Sequence, residues 1–115
     1  MKSQETILLL ADRRQNQTAK ALKAAGYRLM TAFTPDHAVA LCVNNDFSAA
    51  VLDQEHFIVT EDWSVAQSIK LIKPPVCVIL VVRGKIVTDH LPTGVDAVVP
   101  ERDTAVLLAR LKRFL

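Results

Sequence analysis

Two acidic side chains are the strongest candidates for chemistry in this chain of 115 residues. Asp12 directly follows the apolar segment 7–11, and Asp53 ends the apolar segment 49–52. Segments of this kind are typical of strands in a parallel sheet that is covered on both faces. In such sheets, ligands bind beyond the carboxyl ends of the strands. If the two strands are neighbours, Asp12 and Asp53 therefore share one pocket.

The motifs of several common enzyme classes are missing from the sequence. Its three glycines, at positions 26, 84 and 94, form neither a dinucleotide-binding fingerprint nor a phosphate-binding loop. It contains no Gly-x-Ser-x-Gly and no His-Glu-x-x-His. His37, His56 and His90 lack the spacing of metal ligands. We therefore expect that the chain is not an enzyme.

Short segments rich in Val, Ile and Leu alternate along the chain with segments of helical spacing. The predicted strands are residues 7–11, 27–33, 49–52, 76–82 and 95–99. The predicted helices are residues 15–25, 34–45, 62–73 and 102–115. Residues 83–91 fit either a short helix or a loop. This alternation predicts an α/β fold, a three-layer α/β/α sandwich around a five-stranded parallel sheet.

Local signals predict several helix ends. Thr34 as the cap, Pro35 in the first turn and Asp36 near the positive end of the dipole predict a helix start. Gly26 is placed to end the first helix, and Asp62 is expected to cap the third. The inward side chains of the last helix are expected to include Val106, Ala109, Leu111 and Leu115.

Composition and charge restrict the class of protein and the kinds of partner that remain. Half of the residues are hydrophobic and 23% are charged, which is ordinary globular usage. A net charge of +2 is too small to indicate a nucleic-acid or membrane partner. The apolar run 76–82 is too short to span a membrane, and two cysteines form no disulfide framework. We expect one cytoplasmic domain, residues 1–115, without direct nucleic-acid or membrane contact.

The sequence resembles the receiver domains of bacterial two-component response regulators over nearly its whole length. Residues 7–12 are similar to the first strand and acidic pair of that family, and residues 51–53 to the strand with the phosphoacceptor. Residues 75–80 resemble the fourth strand, and residues 94–97 the step before the fifth. The resemblance implies the flavodoxin-like strand order 2-1-3-4-5. It also implies phosphorelay signal transduction, with a sensor histidine kinase or another signalling protein as partner.

The resemblance further implies a phosphoryl-transfer chemistry. A carboxylate at Asp53 would accept the phosphoryl group from a phosphohistidine of the kinase. Mg²⁺ would bridge Asp53, Asp12 and the main-chain carbonyl of Glu55, since hard oxygen ligands suit this ion. Asp12 suits the cap of the first helix equally well.

Several positions depart from the pattern of the family. Ala11 stands where one acid of the pair is expected, so Mg²⁺ binding is expected to be weak. The hydroxyl position falls on Leu80 or Val81, depending on the end from which the strand is counted. The switch aromatic falls on Val98 and the lysine on Glu101, which would repel a phosphoryl group. These departures resemble the degenerate, or pseudo-receiver, branch of the family.

Two functional hypotheses follow. The first is a phosphoaccepting receiver that uses Asp53 and Mg²⁺. The second is a pseudo-receiver that binds a partner, or a second copy of itself, without phosphorylation. The resemblance places partner contacts and a homodimer contact on a C-terminal face built from residues 83–91, 95–99 and 102–115. The apolar side chains expected to be exposed there are Ile86, Leu91, Leu108 and Phe114.

Overall fold

Strands and helices alternate along the protein, as a computed structural model shows for residues 5–11, 17–53, 59–82, 94–100 and 104–115. The strands are β1 (Thr6–Ala11), β2 (Arg28–Ala32), β3 (Ala49–Asp53), β4 (Cys77–Val82) and β5 (Ala97–Pro100). The helices are α1 (Gln17–Ala24), α2 (Pro35–Asn44), α3 (Val59–Ile72) and α4 (Thr104–Phe114). The segment 83–91, which was predicted to be either a short helix or a loop, lies outside the described residues.

The five strands form one parallel sheet in the order β2-β1-β3-β4-β5. This order confirms the predicted strand topology 2-1-3-4-5 and the three-layer α/β/α architecture. Parallel neighbours need a crossover connection, and right-handed crossovers place successive helices on the two faces of the sheet. The interior strand β1 is buried from Ile7 to Ala11 because both of its faces are covered.

Each face of the sheet packs against one pair of helices, so the protein has two core clusters. Helices α2 and α3 cover the α2/α3 core, whose buried members include Leu8, Leu10, Ala38, Cys42, Leu52, Val65, Ile69, Val78 and Leu80. Helices α1 and α4 cover the α1/α4 core, whose buried members include Ile7, Leu9, Ala11, Ala19, Leu22, Val51, Ile79, Val81, Leu107 and Leu111. Alternate residues along each strand therefore belong to opposite layers.

Two of the predicted helix ends are confirmed and one is wrong. The Thr34 hydroxyl accepts a hydrogen bond from the His37 amide at 3.2 Å, which caps α2. Gly26, at a φ of +96°, follows α1 in the left-handed conformation that glycine favours. Asp62 does not cap α3, because the helix begins three residues earlier, at Val59. An acid within the first turns is still favourable near the positive end of the helix dipole.

The buried face of α4 differs from the prediction. Leu107 and Leu111 are buried one turn apart, and Val106 is only partly buried. Ala109 and Leu115 are exposed, contrary to the expectation that they point inward. The helical period of 3.6 residues places Ala109, two positions from Leu111, on the opposite side of the helix, and Leu115 lies beyond the last residue of α4. Within the described part of the chain, no helix has the length and apolarity of a membrane span.

Asp96 joins α3 and β4 to the start of β5. One oxygen of its carboxylate accepts a hydrogen bond from the Val78 amide at 2.8 Å and lies 2.6 Å from Nζ of Lys70. The Asp96 amide in turn donates to the Val78 carbonyl at 2.8 Å. Because Val78 is fully buried, its amide depends on a protein acceptor.

Replacement of Asp96 by alanine is expected to lower the free energy of unfolding by about 1–3 kcal/mol, because the buried Val78 amide loses its acceptor. Asp46→Ala is the matched control, since it also removes a carboxylate paired with a lysine near the end of α3, here Lys73 at 3.0 Å. Asp46 is 96% exposed, so this loss should be within about 1 kcal/mol. Urea unfolding of both variants tests the difference, and equal losses would contradict it.

Candidate functional site

Asp53 lies between two apolar residues at the carboxyl ends of three neighbouring strands. The register pairs Asp53 of β3 with Ala11 of β1 and with Val81 of β4. Adjacent strands are about 4.8 Å apart, so all three residues are immediate neighbours. Ala11 and Val81 belong to the α1/α4 core, and Asp53 follows Val51 of that core by two residues. All three therefore point to the same side of the sheet.

The burial of these neighbours determines what they offer to Asp53. Ala11 is fully buried, Val81 is 5% exposed, and Asp53 itself is partly buried. A methyl group on one side and an isopropyl group on the other provide neither charge nor a hydrogen-bond donor. The flanks of Asp53 formed by β1 and β4 are consequently apolar.

The register distinguishes the two positions that the sequence left open for a hydroxyl. Val81 is the residue beside Asp53, whereas Leu80 pairs with Leu52 and is buried in the α2/α3 core on the other face. Neither side chain can donate a hydrogen bond. Val98 of β5 pairs with Leu80 and packs, partly buried, against the same α2/α3 core.

Three of the predicted site residues lie outside the described residues, namely Asp12, Glu55 and Glu101. Among the residues that the structure does describe, no three His, Cys, Asp or Glu side chains come together as a metal site. Mg²⁺ is usually held by one or two carboxylates together with other oxygen ligands. The described strand ends supply one carboxylate, Asp53, beside the methyl group of Ala11, and the other candidate ligands lie outside the described residues.

The two cysteines do not contribute a nucleophile. Cys42 of α2 and Cys77 of β4 are both buried. Burial raises the pKa of the Cys42 thiol. Burial, with a smaller contribution from the Asp96 carboxylate, raises the pKa of Cys77 to about 12. Because the thiolate is the reactive form, burial disfavours reaction at both cysteines.

Phe33 follows β2, the strand next to β1, and no sequence motif selected it. It was expected inside the second strand, but β2 ends at Ala32. The register pairs Ala32 with Leu10, so Phe33 follows at the level of Ala11. Its side chain is 40% exposed. β1 lies between this position and Asp53, so Phe33 is two strands away from the acidic side chain.

The C-terminal face is described in part. Phe114 is 44% exposed, as expected, and Leu108 is partly buried against the α1/α4 core. Ile86 and Leu91 lie outside the described residues. Phe114 is therefore the described side chain that best fits the expected apolar contact on this face.

Solved structures of response regulators share this architecture over almost the whole chain. A CheY-like receiver domain protein from Methanospirillum hungatei has a TM-score of 0.80 at 23% identity, covering 96% of this chain and 93% of its own. Chemotaxis protein CheY4 of Vibrio cholerae has a TM-score of 0.82 at 16% identity, covering 98% and 100%. The chain has the receiver-domain fold.

A third receiver-fold structure, TrrA of Thermotoga maritima in complex with Mg²⁺–BeF, has a TM-score of 0.79 at 22% identity. It covers 96% of this chain and 99% of its own. No family model and no curated protein matches the chain. In this receiver fold, Asp53 ends the central strand β3 at the carboxyl edge, where open α/β sheets bind ligands.

Proposed function

We propose that residues 1–115 form a receiver-like signalling domain that works through protein contacts and does not depend on phosphorylation of Asp53. The observation that carries the proposal is the pair of apolar residues, Ala11 and Val81, on either side of Asp53 in the sheet. The receiver fold supports the signalling role, and the apolar flanks support independence from a phosphoryl group. The partner would be a sensor histidine kinase or another signalling protein of the cytoplasm.

The electrostatics of phosphorylation explain why the flanks matter. A phosphoryl group on Asp53 would bring about −1.5 to −2 charges and three acceptor oxygens to the sheet edge. Stabilising it requires cations and hydrogen-bond donors aimed at those oxygens. Ala11 and Val81 provide none, and the sequence resemblance places Glu101 where a lysine would pair with the group. A site of this composition disfavours the phosphorylated form.

The same composition predicts weak binding of Mg²⁺. Each carboxylate contributes charge and an oxygen ligand, and Ala11 replaces one of them. Asp12 and Glu55 remain the candidate ligands next to Asp53, on the resemblance alone. We propose that the domain has no enzymatic activity of its own.

A phosphoaccepting receiver is the second candidate function. The observation that favours it is Asp53 itself, a partly buried carboxylate at the end of the central strand, where an acceptor would stand. The alternative requires that Asp12, Glu55 and groups from the loops compensate for Ala11 and Val81.

Incubation with acetyl phosphate and Mg²⁺, followed by intact mass spectrometry, separates the two candidates. We expect little or no addition of a phosphoryl group, since neither flank of Asp53 stabilises the added charge. A competent receiver domain treated in parallel shows that the reagent is active. Stoichiometric, Mg²⁺-dependent labelling that disappears in Asp53→Asn would establish the phosphoaccepting receiver instead.

A further inference from the structure

Two large apolar side chains are exposed on the outer side of helices α2 and α3. Val43, near the end of α2, is 58% exposed, and Leu71, near the end of α3, is 84% exposed. Among the described residues, no other large apolar side chain is as exposed as these two. A single exposed leucine is common in proteins, so what matters is whether the two side chains belong to one surface.

The direction of Val43 follows from the helical period. Helices α2 and α3 run parallel to each other over the same face of the sheet, with α2 on β1 and β2 and α3 on β4. In α3, Lys70 comes one residue after buried Ile69 and pairs with Asp96, so this rotation of about 100° points toward β5. Val43 comes one residue after buried Cys42, so it points in the same direction. For α2, that direction is toward α3.

Leu71 lies at the crest of α3, next to the groove between the two helices. It comes two residues after buried Ile69, and this rotation of about 200° points it away from the sheet. Ile72 follows on the flank of α3 that faces α2, and it is partly buried. A protruding leucine therefore stands beside a recess with an apolar wall.

The ends of the two helices are held at the same level. Nζ of Lys73, directly after α3, lies 3.0 Å from Oδ1 of Asp46, which follows α2. Val43 and Leu71 each precede the last residue of their helix, so they lie side by side across the groove. Val39, one turn before Val43, is partly buried on the same flank. We define the α2/α3 patch as the four apolar residues Val39, Val43, Leu71 and Ile72.

The surroundings of the α2/α3 patch carry almost no charge. The exposed positions that the structure describes on α2 and α3 are Asp36, His37, Ala40, Val43, Asn44, Gln67 and Leu71. Asp36 is the one formal charge among them, and it lies in the first turn of α2, at the other end from Val43. A charged partner thus finds little to pair with here, whereas an apolar and uncharged surface fits the patch.

The opposite layer of helices is unsuited to contact with a second copy. Helices α1 and α4 contain no Asp or Glu. Their exposed cations are Lys20, Lys23, Arg110, Lys112 and Arg113. Two copies that met through this layer would bring like charges together, which is unfavourable at an interface. The same repulsion acts on the homodimer contact that the sequence resemblance placed on the C-terminal face, because that face includes α4.

We infer that two copies of this protein pair through the α2/α3 patch, with Leu71 of both copies close to the twofold axis. A twofold contact uses the same surface on each copy, so the surface must fit itself. The α2/α3 patch does so in shape, since Leu71 protrudes beside a groove lined by Val43 and Ile72. It also does so in charge, since the patch lacks charges that would repel their own copies. The inference goes beyond the proposed function and does not depend on the state of Asp53.

The size of this face determines how strong the pairing is. Helix α2 has 10 residues and α3 has 14. With a rise of about 1.5 Å per residue and helices about 10 Å apart, the outer face measures roughly 20 by 20 Å. This is smaller than the roughly 800 Å² that each partner contributes to a standard interface. The pair is therefore weak and reversible, and it forms as the protein concentration rises.

Analytical ultracentrifugation in a reducing buffer tests the pairing. We expect the average sedimentation coefficient to rise toward that of a dimer between about 10 and 500 µM protein. The association constant should change less than about twofold between roughly 0.05 and 0.3 M salt, because the contact is uncharged. A monomer at every concentration would overturn the inference and leave the patch to a different protein. Species that grow beyond the dimer would also overturn it, since a twofold contact stops at two copies.

A matched pair of variants locates the contact. Leu71→Glu and Phe114→Glu each place a carboxylate at an exposed apolar position near the end of a helix, one in each layer. Leu71→Glu should weaken self-association at least about tenfold, since it puts a charge in the centre of the interface. Phe114→Glu should change it less than about twofold. The reverse result would place the contact on the C-terminal face, and equal weakening would deny a defined surface. Circular dichroism confirms that both variants are folded.

A mixing experiment tests the twofold axis. Leu71→Glu and Leu71→Lys should each be monomeric alone, because like charges would meet across the axis. An equimolar mixture should associate more strongly than either variant, because opposite charges then face each other. Two folded variants that do not associate when mixed would contradict the position of Leu71 at the axis. Labelling of Asp53 by acetyl phosphate would refute the proposed function and leave these results unchanged.

Discussion

Gly94→Ala is expected to lower the free energy of unfolding by about 2–5 kcal/mol, because the added methyl group causes both backbone strain and overpacking. Gly94 has a φ of +89°, a conformation that side chains with a Cβ rarely adopt. An added Cβ would also stand 2.9 Å from the backbone carbon of Ala66 and the backbone nitrogen of Gln67 in α3. Backbone atoms of a helix cannot move aside cheaply, so either α3 or the approach to β5 must shift.

Gly26→Ala is the matched control for this prediction. Gly26 has a similar φ of +96°, but an added Cβ would meet no atom within 4 Å. The free energy of unfolding of this variant should fall only by the strain of the left-handed conformation, about 1–2 kcal/mol. Urea unfolding followed by circular dichroism measures both losses. If Gly94→Ala costs no more than Gly26→Ala, the contact with α3 is not the reason for glycine at position 94.

Restoring the missing polar groups around Asp53 is expected to create Mg²⁺-dependent phosphorylation. The variant carries Ala11→Asp, Val81→Thr and Glu101→Lys. It adds a carboxylate on β1 and a hydroxyl on β4, both beside Asp53, and a lysine at the position that the sequence resemblance indicates. Groups of this kind that stabilise developing charge are each worth about 10²-fold or more in rate. We expect labelling by acetyl phosphate to accelerate by at least about 10²-fold.

The control keeps every change except the new charge, with Ala11→Asn in place of Ala11→Asp. Asparagine is nearly the same size as aspartate but adds no negative charge for a metal ion, so most of the gain should be lost. Asp53→Asn within the full variant should abolish labelling. A folded variant that is not labelled would count against Asp53 as a phosphoacceptor, and therefore against the second candidate function.

The fold could be predicted from the sequence because several of its strands are almost entirely apolar. Segments such as 49–52 and 76–82 are too short for helices, and their burial on both faces requires helices in two layers. Thr34 and Gly26 marked helix ends because each performs a local task, capping or positive φ, that few other residues perform. Asp53 could be selected as a candidate site residue because it ends a predicted strand.

Other features depended on contacts that no local pattern records. Whether Leu80 or Val81 stands beside Asp53 is a matter of register between strands, and a shift of one residue exchanges the two faces. Asp96 fell inside the predicted fifth strand, and its role arises from Val78 and Lys70, which are distant in sequence. The prediction placed Val106 on the inward face of α4 and omitted Leu107. The two side chains are similarly apolar, and only the packing of the helix against the sheet determines which of them is buried.

The strand order also bears on how copies of this protein can aggregate. The two edges of the described sheet are β2 and β5, and an open edge is a template for pairing with a strand of another chain. β5 has only four residues and ends in Pro100, which has no amide hydrogen to donate. β2 begins with the exposed charge of Arg28. Both edges are thus poor nuclei for intermolecular β-sheet, which protects a chain whose strands are otherwise almost entirely apolar.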